Sequence, residues 1–323
     1  MKAIVHTQYG PPEVAHLKEV ATPVPVKNEV LIKIHASTVN RTDCGFRSAE
    51  YFISRFFSGL FRPNQQILGC EFSGIIEAIG PEVKTFEVGD AVFGLDDAKF
   101  GGHAEYKVIA ENRAIATIPE GVSFQQAAAI SEGAHYAWVD IRAAKIKKGQ
   151  NILVNGATGA IGSAAVQLIK YLGANVTAVC DTKNVSLVKS LGADVVIDYK
   201  KEDFTQLQDK FDVVFDAVGK SSFGKCKPLL KKNGIYISTE FGKMAQNPFL
   251  AIITPMLGGK KVLFPIPATT KSDIEFLRML VADRHYKPVI DRSYPLDDVV
   301  NAYRYVETGQ KTGNVIIEVV KGI

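Results

Sequence analysis

The sequence predicts an α/β protein in which a doubly wound parallel sheet is combined with a second, mainly β domain. Two textures along the chain indicate this. Residues 1–120 alternate β-branched and polar residues between turn signals, which is typical of antiparallel strands. From about residue 123, short apolar runs with little alternation are separated by helical patterns. Such runs are typical of parallel strands that helices cover on both faces.

The first part of the chain contains candidate strands connected by short turns. A parallel crossover needs a dozen or more residues, so these strands are expected to pair mostly antiparallel. The strands are "KAIVHT", "EVLIKIHAS", "SGIIEAIG", "DAVFG" and "AEYKVIA", and the turns between and after them include "YGPPE", "TPVPVKNE", "GPEVKTFEVGD" and "PEGVS".

The second part opens with a capping box, Ser123 followed by Gln126, which predicts the start of a helix. The candidate strands that follow are "NILVNG", "NVTAVC", "DVVID", "FDVVFDAVG" and "IYIST". The helices between them are predicted through "IGSAAVQLIKYLG", through "NVSLVKSLG", as a short helix after "DVVID", and to "LLKKNG". After "KKVLFPIP", two amphipathic helices, "KSDIEFLRMLVADR" and "LDDVVNAYRYVETG", precede a last strand "NVIIEVV", which we expect to return to the first domain.

Composition excludes several classes of function. The 323 residues suffice for two domains, and none of the apolar stretches reaches the roughly 18 residues that span a bilayer. The net charge of +4 comes from lysines scattered along the chain, which suits an anionic small ligand better than a nucleic acid. The start reads as a strand and a turn, not as a signal peptide, and the four cysteines form no CxxC pair. We therefore expect a cytoplasmic protein with reduced thiols and no membrane or nucleic-acid partner.

A glycine-rich turn, "NGATGAIGS", lies between a buried strand and a helix. Glycines at this point allow the backbone to turn tightly and to approach a pyrophosphate, which the helix N-terminus attracts. The spacing is GxxGxxG, and its position at the first strand-to-helix turn of a βαβ series favours a dinucleotide site over a turn that binds nothing. Neither GxxxxGK[ST] nor a YxxxK pair occurs. The candidate cofactor-binding residues of this turn are Gly156, Thr158, Gly159, Ala160, Ile161 and Gly162.

The end of the second strand of this series, "VTAVCDTKN", bears on the choice between NADP and NAD. A carboxylate about 20 residues past the glycine turn would bind the ribose of NAD. By strand register, we expect Cys180 to face the ribose and Asp181 to point away. Lys183 could then face the 2′-phosphate, and Tyr199, which ends the next strand, could flank the adenine. This favours NADP over NAD. The alternative for Lys183 is a solvated surface lysine.

The chain resembles the medium-chain dehydrogenase/reductase superfamily, and within it the zinc-independent quinone oxidoreductase (zeta-crystallin-like) branch. The stretches that carry the resemblance run almost from end to end and in order; they include "MKAIVHTQYGPPEV", "LGCEFSGIIEAIGPEVKTFEVGDAVFG", "NGATGAIGSAAVQLIKYLGANV", "FDVVFDAVG" and "KTGNVII". The resemblance implies a GroES-like catalytic domain formed by residues 1–123 and 267–323, and a Rossmann domain formed by residues 124–266. It also implies a homodimer paired through the Rossmann sheet edges, with which the apolar "KKVLFPIP" is compatible.

The residues that hold zinc in other members of the superfamily are changed here. Zinc-containing members carry Cys at the place of Asn40, His at the place of Cys70 and a further Cys near "ISEGAHYAW". Cys70 and Glu71 remain as local candidates, but catalytic zinc needs three protein ligands. His135 is a conceivable third ligand, and a core histidine is the alternative. We expect no metal, although Glu71 is the residue that the zinc enzymes keep, where quinone oxidoreductases usually have Asp.

Without a metal, the chemistry that the resemblance implies is hydride transfer to an acceptor that is already electrophilic, a quinone or an α,β-unsaturated carbonyl. Asn40 is the candidate donor to the acceptor oxygen, Asp43 the candidate for orienting its loop and Tyr51 a further candidate donor. The alternative for Asn40 and Asp43 is turn chemistry. For the aromatic segment around Tyr51, the alternative is a helix that packs on its domain.

Three more residues are candidates for cofactor binding by resemblance. Val218 and Gly219 end "FDVVFDAVG" and are expected on the nicotinamide side, and Lys311 in "GQKTGNV" is expected near the phosphates, with a solvated lysine as its alternative. Two other functions stay open at this point. One is a zinc alcohol dehydrogenase, and the other is an NADPH-binding protein without turnover.

Overall fold

The computed structural model describes residues 1–50 and 55–320. The chain divides into two compact units. The first unit comprises the described residues of Met1–Glu132, Thr269–Asp283 and the chain from Pro288 onward, and the second comprises Gly133–Ala268 and Arg284–Lys287.

The strands and helices are labelled in chain order. The strands are β1 (Lys2–Val5), β2 (His16–Glu19), β3 (Glu29–Val39), β4 (Glu71–Ile79), β5 (Ala91–Leu95), β6 (Tyr106–Ala110), β7 (Ile115–Thr117), β8 (Asn151–Asn155), β9 (Asn175–Cys180), β10 (Val195–Asp198), β11 (Phe211–Asp216), β12 (Leu230–Ser238), β13 (Lys261–Leu263), β14 (Ile290–Pro295) and β15 (Asn314–Glu318). The helices are α1 (Arg41–Ser48), α2 (Arg55–Ser58), α3 (Phe124–Ala128), α4 (Ser131–Ala144), α5 (Ala160–Tyr171), α6 (Val185–Ser190), α7 (Phe223–Cys226), α8 (Gln246–Leu257), α9 (Lys271–Ala282) and α10 (Val299–Glu307).

The first unit contains a seven-stranded sheet in the order β14-β15-β3-β4-β5-β7, with β6 also paired to β3. All of these pairs are antiparallel except β14 with β15. Alternate residues of β3, namely Val30, Ile32 and Ile34, are fully buried in one apolar cluster with Phe72 and Ile76 of β4. The alternation over residues 30–34 of β3 thus buries one face of that strand.

The second unit contains a six-stranded sheet in the order β10-β9-β8-β11-β12-β13, in which every pair is parallel. Its core includes Leu153 of β8, Val179 of β9, Val214 of β11 and Tyr236 of β12. The order reverses at β8, so β9 and β11 flank β8 and their carboxyl ends lie at the same edge. The predicted α/β class, with a parallel sheet and a separate mainly β part, is confirmed.

Local predictions differ in their outcome. The capping box at Ser123 is confirmed, because its hydroxyl accepts the N–H of Gln126 and the Gln126 side chain accepts the N–H of Ser123. The predicted helix to "LLKKNG" is wrong, because α7 ends at Cys226 and β12 already begins at Leu230. Pro228 lies in a 3-10 turn between them, and proline disrupts an α-helix that would run through it.

Among the helices of residues 1–50 and 55–320, we find none whose length and apolar character would let it cross a membrane.

Candidate functional site

The glycine turn connects the central strand β8 to α5. Gly156 adopts a positive φ of 80°, which favours glycine, and a Cβ on Gly162 would lie 2.1 Å from the carbonyl oxygen of Gly156. Gly159 is the N-cap of α5 and has no side chain with which to cap the helix. Its carbonyl accepts the first helical hydrogen bond, from the N–H of Ser163. A Cβ on Gly159 would meet nothing closer than 4.0 Å, so the space at this helix N-terminus is open.

The structure brings the other residues of this turn to the same place. Thr158 is half-buried and precedes the N-cap, and Ala160 and Ile161 form the first turn of α5. The N–H groups of a first helical turn have no carbonyl partner within the helix, and the helix dipole makes this end positive. The turn therefore has the geometry to hold an anionic group such as a pyrophosphate.

The end of β9 carries the residues expected to select the cofactor. Cys180 is buried, and Tyr199, which follows the neighbouring strand β10, is 56% exposed. The carboxylate of Asp181 accepts a hydrogen bond from Asn184 Nδ2 at 2.6 Å, and Lys183 Nζ lies 4.0 Å from it. Lys183 itself extends into solvent with 62% of its side chain exposed.

The end of β11 lies beside the glycine turn within the parallel sheet. Val218 and Gly219 follow this strand, and a Cβ on Gly156 would meet Val218 Cβ at 2.7 Å. The N–H groups of both residues donate to the buried carboxylate of Asp216. The predicted residues Gly156, Val218 and Gly219 are thus brought together at one edge of the sheet.

In the first unit, Asn40 and Asp43 form the capping box of α1. The Asn40 side chain accepts the N–H of Asp43 at 2.9 Å, and the Asp43 carboxylate accepts the N–H of Asn40 at 3.2 Å. Asp43 also accepts the N–H of Gly69. Burial raises the pKa of Asp43 to about 7, although these backbone donors act in the opposite direction. Asn40 is only 2% exposed and Asp43 is fully buried, and their mutual hydrogen bonds hold both side chains in place at the start of α1.

Cys70 and Glu71, the local candidates for zinc, are engaged by protein groups. Asn40 Nδ2 donates to Cys70 Sγ at 3.0 Å, and burial followed by nearby carboxylates raises the pKa of this thiol well above its ordinary value. Glu71 accepts hydrogen bonds from the hydroxyl of Thr38 and from the N–H groups of Ser131 and Glu132. Zinc binds the thiolate form of cysteine, which the burial of Cys70 disfavours.

A zinc ion does not fit this set of donors. Within residues 1–50 and 55–320, no group of three His, Cys, Asp or Glu side chains is arranged to hold a metal ion. His135, the conceivable third ligand, is buried on α4 with its ring 5.8 Å from that of Tyr136. That environment is typical of a core histidine.

Lys311 lies near buried carboxylates of its own unit. Its Nζ donates to the carbonyl of Gly313, and burial lowers its pKa while Glu132 and Glu71 act to raise it. Its expected contact with cofactor phosphates stays a prediction. Tyr51, the third candidate on the acceptor side, lies outside the described residues.

Two buried acids of the candidate site, Glu132 and Asp216, are not among the residues predicted from the sequence. Glu132 at the start of α4 is 4% exposed and accepts the hydroxyl of Thr42 at 2.8 Å, and Asp216 at the end of β11 is fully buried. A signal existed for both, because an acidic residue within an otherwise apolar or small-residue stretch needs a partner when it is buried. "ISEGAHYAW" and "FDVVFDAVG" both have this form.

Two family models match the chain. One, described as "Alcohol dehydrogenase GroES-like domain", matches residues 26–120, and the other, described as "Zinc-binding dehydrogenase", matches residues 191–317. The second description names a metal for which the donors around Cys70 are unsuited.

Similar proteins cover nearly the whole chain. A protein of Solanum lycopersicum named "2-methylene-furan-3-one reductase" is 35% identical over 98% of this chain and 79% of its own. An Arabidopsis thaliana protein named "NADPH-dependent alkenal/one oxidoreductase, chloroplastic" is 30% identical over the same shares. The solved structure of the quinone oxidoreductase from Coxiella burnetii has a TM-score of 0.88 at 28% identity and covers 99% of both chains.

Proposed function

We propose that this chain, which belongs to the medium-chain dehydrogenase/reductase superfamily and to its quinone oxidoreductase branch, transfers hydride from NADPH to a quinone or to an α,β-unsaturated carbonyl compound. It is an enzyme of the reductase type with a nicotinamide cofactor. The name of the Arabidopsis relative includes both NADPH and an alkenal or alkenone substrate, and that of the Coxiella protein includes a quinone.

The glycine turn is the observation that carries this proposal. Gly156 and Gly162 could not bear side chains without displacing backbone or neighbouring atoms, whereas Gly159 leaves open space at the N-terminus of α5. This combination fits a pyrophosphate that lies against the backbone and accepts hydrogen bonds from the N–H groups of the first helical turn. The bound cofactor would supply the hydride, and the residues of the chain would hold and orient it.

We favour NADP over NAD from the end of β9. Asp181, the carboxylate that could bind a ribose hydroxyl, already accepts a hydrogen bond from Asn184, and Cys180 closes the strand. Lys183 is exposed beside it and can approach a 2′-phosphate. An ammonium group stabilises a phosphate dianion, and an unpaired carboxylate at this place would repel it.

On the acceptor side, we propose roles for Asn40, Asp43 and Tyr51. Asn40 would donate to the acceptor oxygen through an N–H of its amide, and Asp43 would hold Asn40 in place through the capping box. Tyr51 would be a further donor. Because the donors around Cys70 and Glu71 do not suit a Lewis acid, we propose acceptors that are electrophilic without one.

We also propose a homodimer in the cytoplasm. The short strand β13 is last in the order of the parallel sheet, where a second copy can pair with it. Helix α8, beside β13, exposes the apolar side chains Phe249, Ile252 and Met256 on one face. Cys44, Cys70, Cys180 and Cys226 are all free, which is typical of a reducing compartment.

A panel of substrates tests the function. The purified chain is given NADPH or NADH with a quinone, an alkenal or a simple alcohol and ketone pair, each with and without a metal chelator. We expect NADPH to be consumed with the quinone or the alkenal, at a rate that the chelator does not change. Faster use of NADH would contradict the roles of Cys180 and Lys183.

Two further outcomes would overturn the proposal. Loss of activity in chelator, together with one zinc per chain in elemental analysis, would indicate an alcohol dehydrogenase of the zinc type. Tight binding of NADPH without consumption by any quinone or alkenal would indicate a non-catalytic binding protein.

A further inference from the structure

The carboxylate of Asp216 is buried at the carboxyl end of β11, where it accepts five hydrogen bonds from groups outside its own strand. Its Oδ1 accepts from Asn155 Nδ2 at 3.0 Å, from the N–H of Val218 at 3.3 Å and from the N–H of Gly219 at 3.1 Å. Asn155 is the residue immediately before the glycine turn. One oxygen atom therefore connects that turn to the segment after β11.

The second oxygen of Asp216 extends these connections. Its Oδ2 accepts from the N–H of Ser221 at 3.1 Å and from the hydroxyl of Tyr236 on β12 at 2.9 Å. Four of the five groups are N–H groups, which can only donate, and they point at both oxygens, so only a carboxylate, which accepts at both, satisfies them together. An amide at this position would direct its own N–H groups at one set of donors.

The segment held in this way, residues 217–221, is here named the β11 loop. It lies against the glycine turn, because Val218 occupies the space that a side chain on Gly156 would need. On its other side, Gly219 has a positive φ of 64°, and a Cβ there would lie 2.6 Å from Glu240 Cγ. The loop thus has close neighbours on two sides, and three of its N–H groups donate to Asp216.

The position of the β11 loop bears on one half of a dinucleotide. Cofactors of this kind bind across the point where the strand order reverses, which here is β8. Under the proposed function, the adenosine half lies on the β9 side, next to Cys180 and Lys183. The nicotinamide half must then extend toward β11, where the β11 loop forms the surface it meets.

We propose that Asp216 is a positioning residue that holds the β11 loop at a fixed distance from the glycine turn and so determines how the nicotinamide half of the cofactor binds. This inference rests on the proposed function, because it presumes a dinucleotide at the glycine turn. Asp216 acts through Val218 and Gly219, which would contact the cofactor.

The test compares two ligands that differ in the nicotinamide half. Dissociation constants are measured by calorimetry for NADPH and for adenosine 2′,5′-bisphosphate, with the full chain and its Asp216→Asn variant. Losing several hydrogen bonds to a charged group should raise the Kd of NADPH by about tenfold, while that of the bisphosphate changes by less than about twofold.

Asp212→Asn is the matched control. Asp212 lies on the same strand, at its opposite end, and its carboxylate accepts the N–H of Asn151 at 2.8 Å and Lys231 Nζ at 2.7 Å. The same substitution there should leave the ratio of the two dissociation constants unchanged. If Asp216→Asn does not fold, Asn155→Ala is used instead, because it removes one of the groups that donate to Asp216. We expect it to raise the Kd of NADPH by about threefold and to leave that of the bisphosphate unchanged.

Each result has a definite meaning. An equal loss of affinity for both ligands, or no loss for either, in folded Asp216→Asn or its replacement would overturn the inference and leave the proposed function intact. Failure of the unmodified chain to bind NADPH would overturn the proposed function and this inference with it. A selective loss of NADPH affinity, absent in Asp212→Asn, would establish the positioning role.

Discussion

Three buried carboxyl groups, those of Asp43, Glu71 and Glu132, determine the electrostatics around Asn40 and Cys70. Each is at most 4% exposed, and burial, the largest cause in all three, raises their pKa values. Lys311 acts in the opposite direction on Glu132. Negative charges so close together and so far from water are costly, so burial and mutual repulsion favour the protonated forms of these groups.

The Glu132→Gln variant tests this account through the pH dependence of stability. Because the pKa of Glu132 is raised in the folded state, stability is full below the ordinary glutamate pKa and is lost as the pH rises through the raised value. Glutamine cannot ionise and still accepts the hydroxyl of Thr42. The Tm of the variant minus that of the unmodified chain should therefore increase between about pH 5 and about pH 8.

Glu82→Gln, at an exposed position of the same unit, is the control for this experiment. Its Tm difference should be nearly constant over the same range. A constant difference for Glu132→Gln as well would show that Glu132 ionises as it does in the unfolded chain.

At the scale of elements, the clearest agreement between sequence and structure is β8, the glycine turn and α5. The pattern of glycines indicated where the backbone turns, because the positive φ of Gly156 favours glycine and a side chain at Gly162 would clash with the backbone. The helix predicted to "LLKKNG" is wrong because Pro228 interrupts it. Leu230 to Ser238 instead pair with β11 and β13 as β12, and this pairing involves strands that are distant in sequence.

Substitutions at Gly159 and Gly162 should have contrasting effects. In Gly162→Ala, the new methyl would lie 2.1 Å from a backbone oxygen, so we expect a loss of about 1–3 kcal/mol in the free energy of unfolding. In Gly159→Ala, the nearest atom is 4.0 Å away and φ is −69°, so the fold should be retained. Its methyl would occupy the open space of the proposed pyrophosphate site, and we expect weaker binding of NADPH.

The two variants serve as controls for one another. Denaturant unfolding and NADPH titration of both variants would separate the effect on the free energy of unfolding from the effect on NADPH affinity. Unchanged NADPH affinity in Gly159→Ala would argue against a pyrophosphate at the N-terminus of α5.

At the scale of the whole molecule, helix α8 exposes a group of apolar side chains that no other part of the described chain covers. Phe249, Ile252 and Met256 are between 63% and 81% exposed and recur at helical spacing, and Leu257 follows at 77%. Apolar side chains in such a group lose contact with water when a partner covers them. Beside β13 at the sheet edge, they are suited to a second copy of the chain.

Ile252→Asp should therefore shift the chain from dimer to monomer, because a charge in a covered apolar face is costly. Light scattering after size-exclusion chromatography would measure the mass at several concentrations. Phe61→Asp, which replaces an apolar side chain that is 87% exposed in the first unit, should leave the mass unchanged. A monomeric unmodified chain, or a dimeric Ile252→Asp variant, would contradict the proposed interface.

The sequence by itself determined the class of the fold and the glycine turn, because both depend on local rules. Alternation buries one face of a strand, uninterrupted apolar runs bury both, and positive φ favours glycine. That Asn40 and Cys70 stand where zinc-containing relatives carry ligands followed from the resemblance to the family, because a sequence by itself does not say which positions would hold a metal.

Only the tertiary structure decided which buried groups meet. Asp216 accepts hydrogen bonds from Asn155 and Tyr236, and Glu71 accepts them from Thr38 and from the first turn of α4. These contacts follow from strand order and register. The two residues of each hydrogen-bonded pair lie 20 to 61 positions apart, so no local sequence pattern indicates that they are in contact. Burial then sets their charge, because desolvation depends on everything that surrounds a group in space.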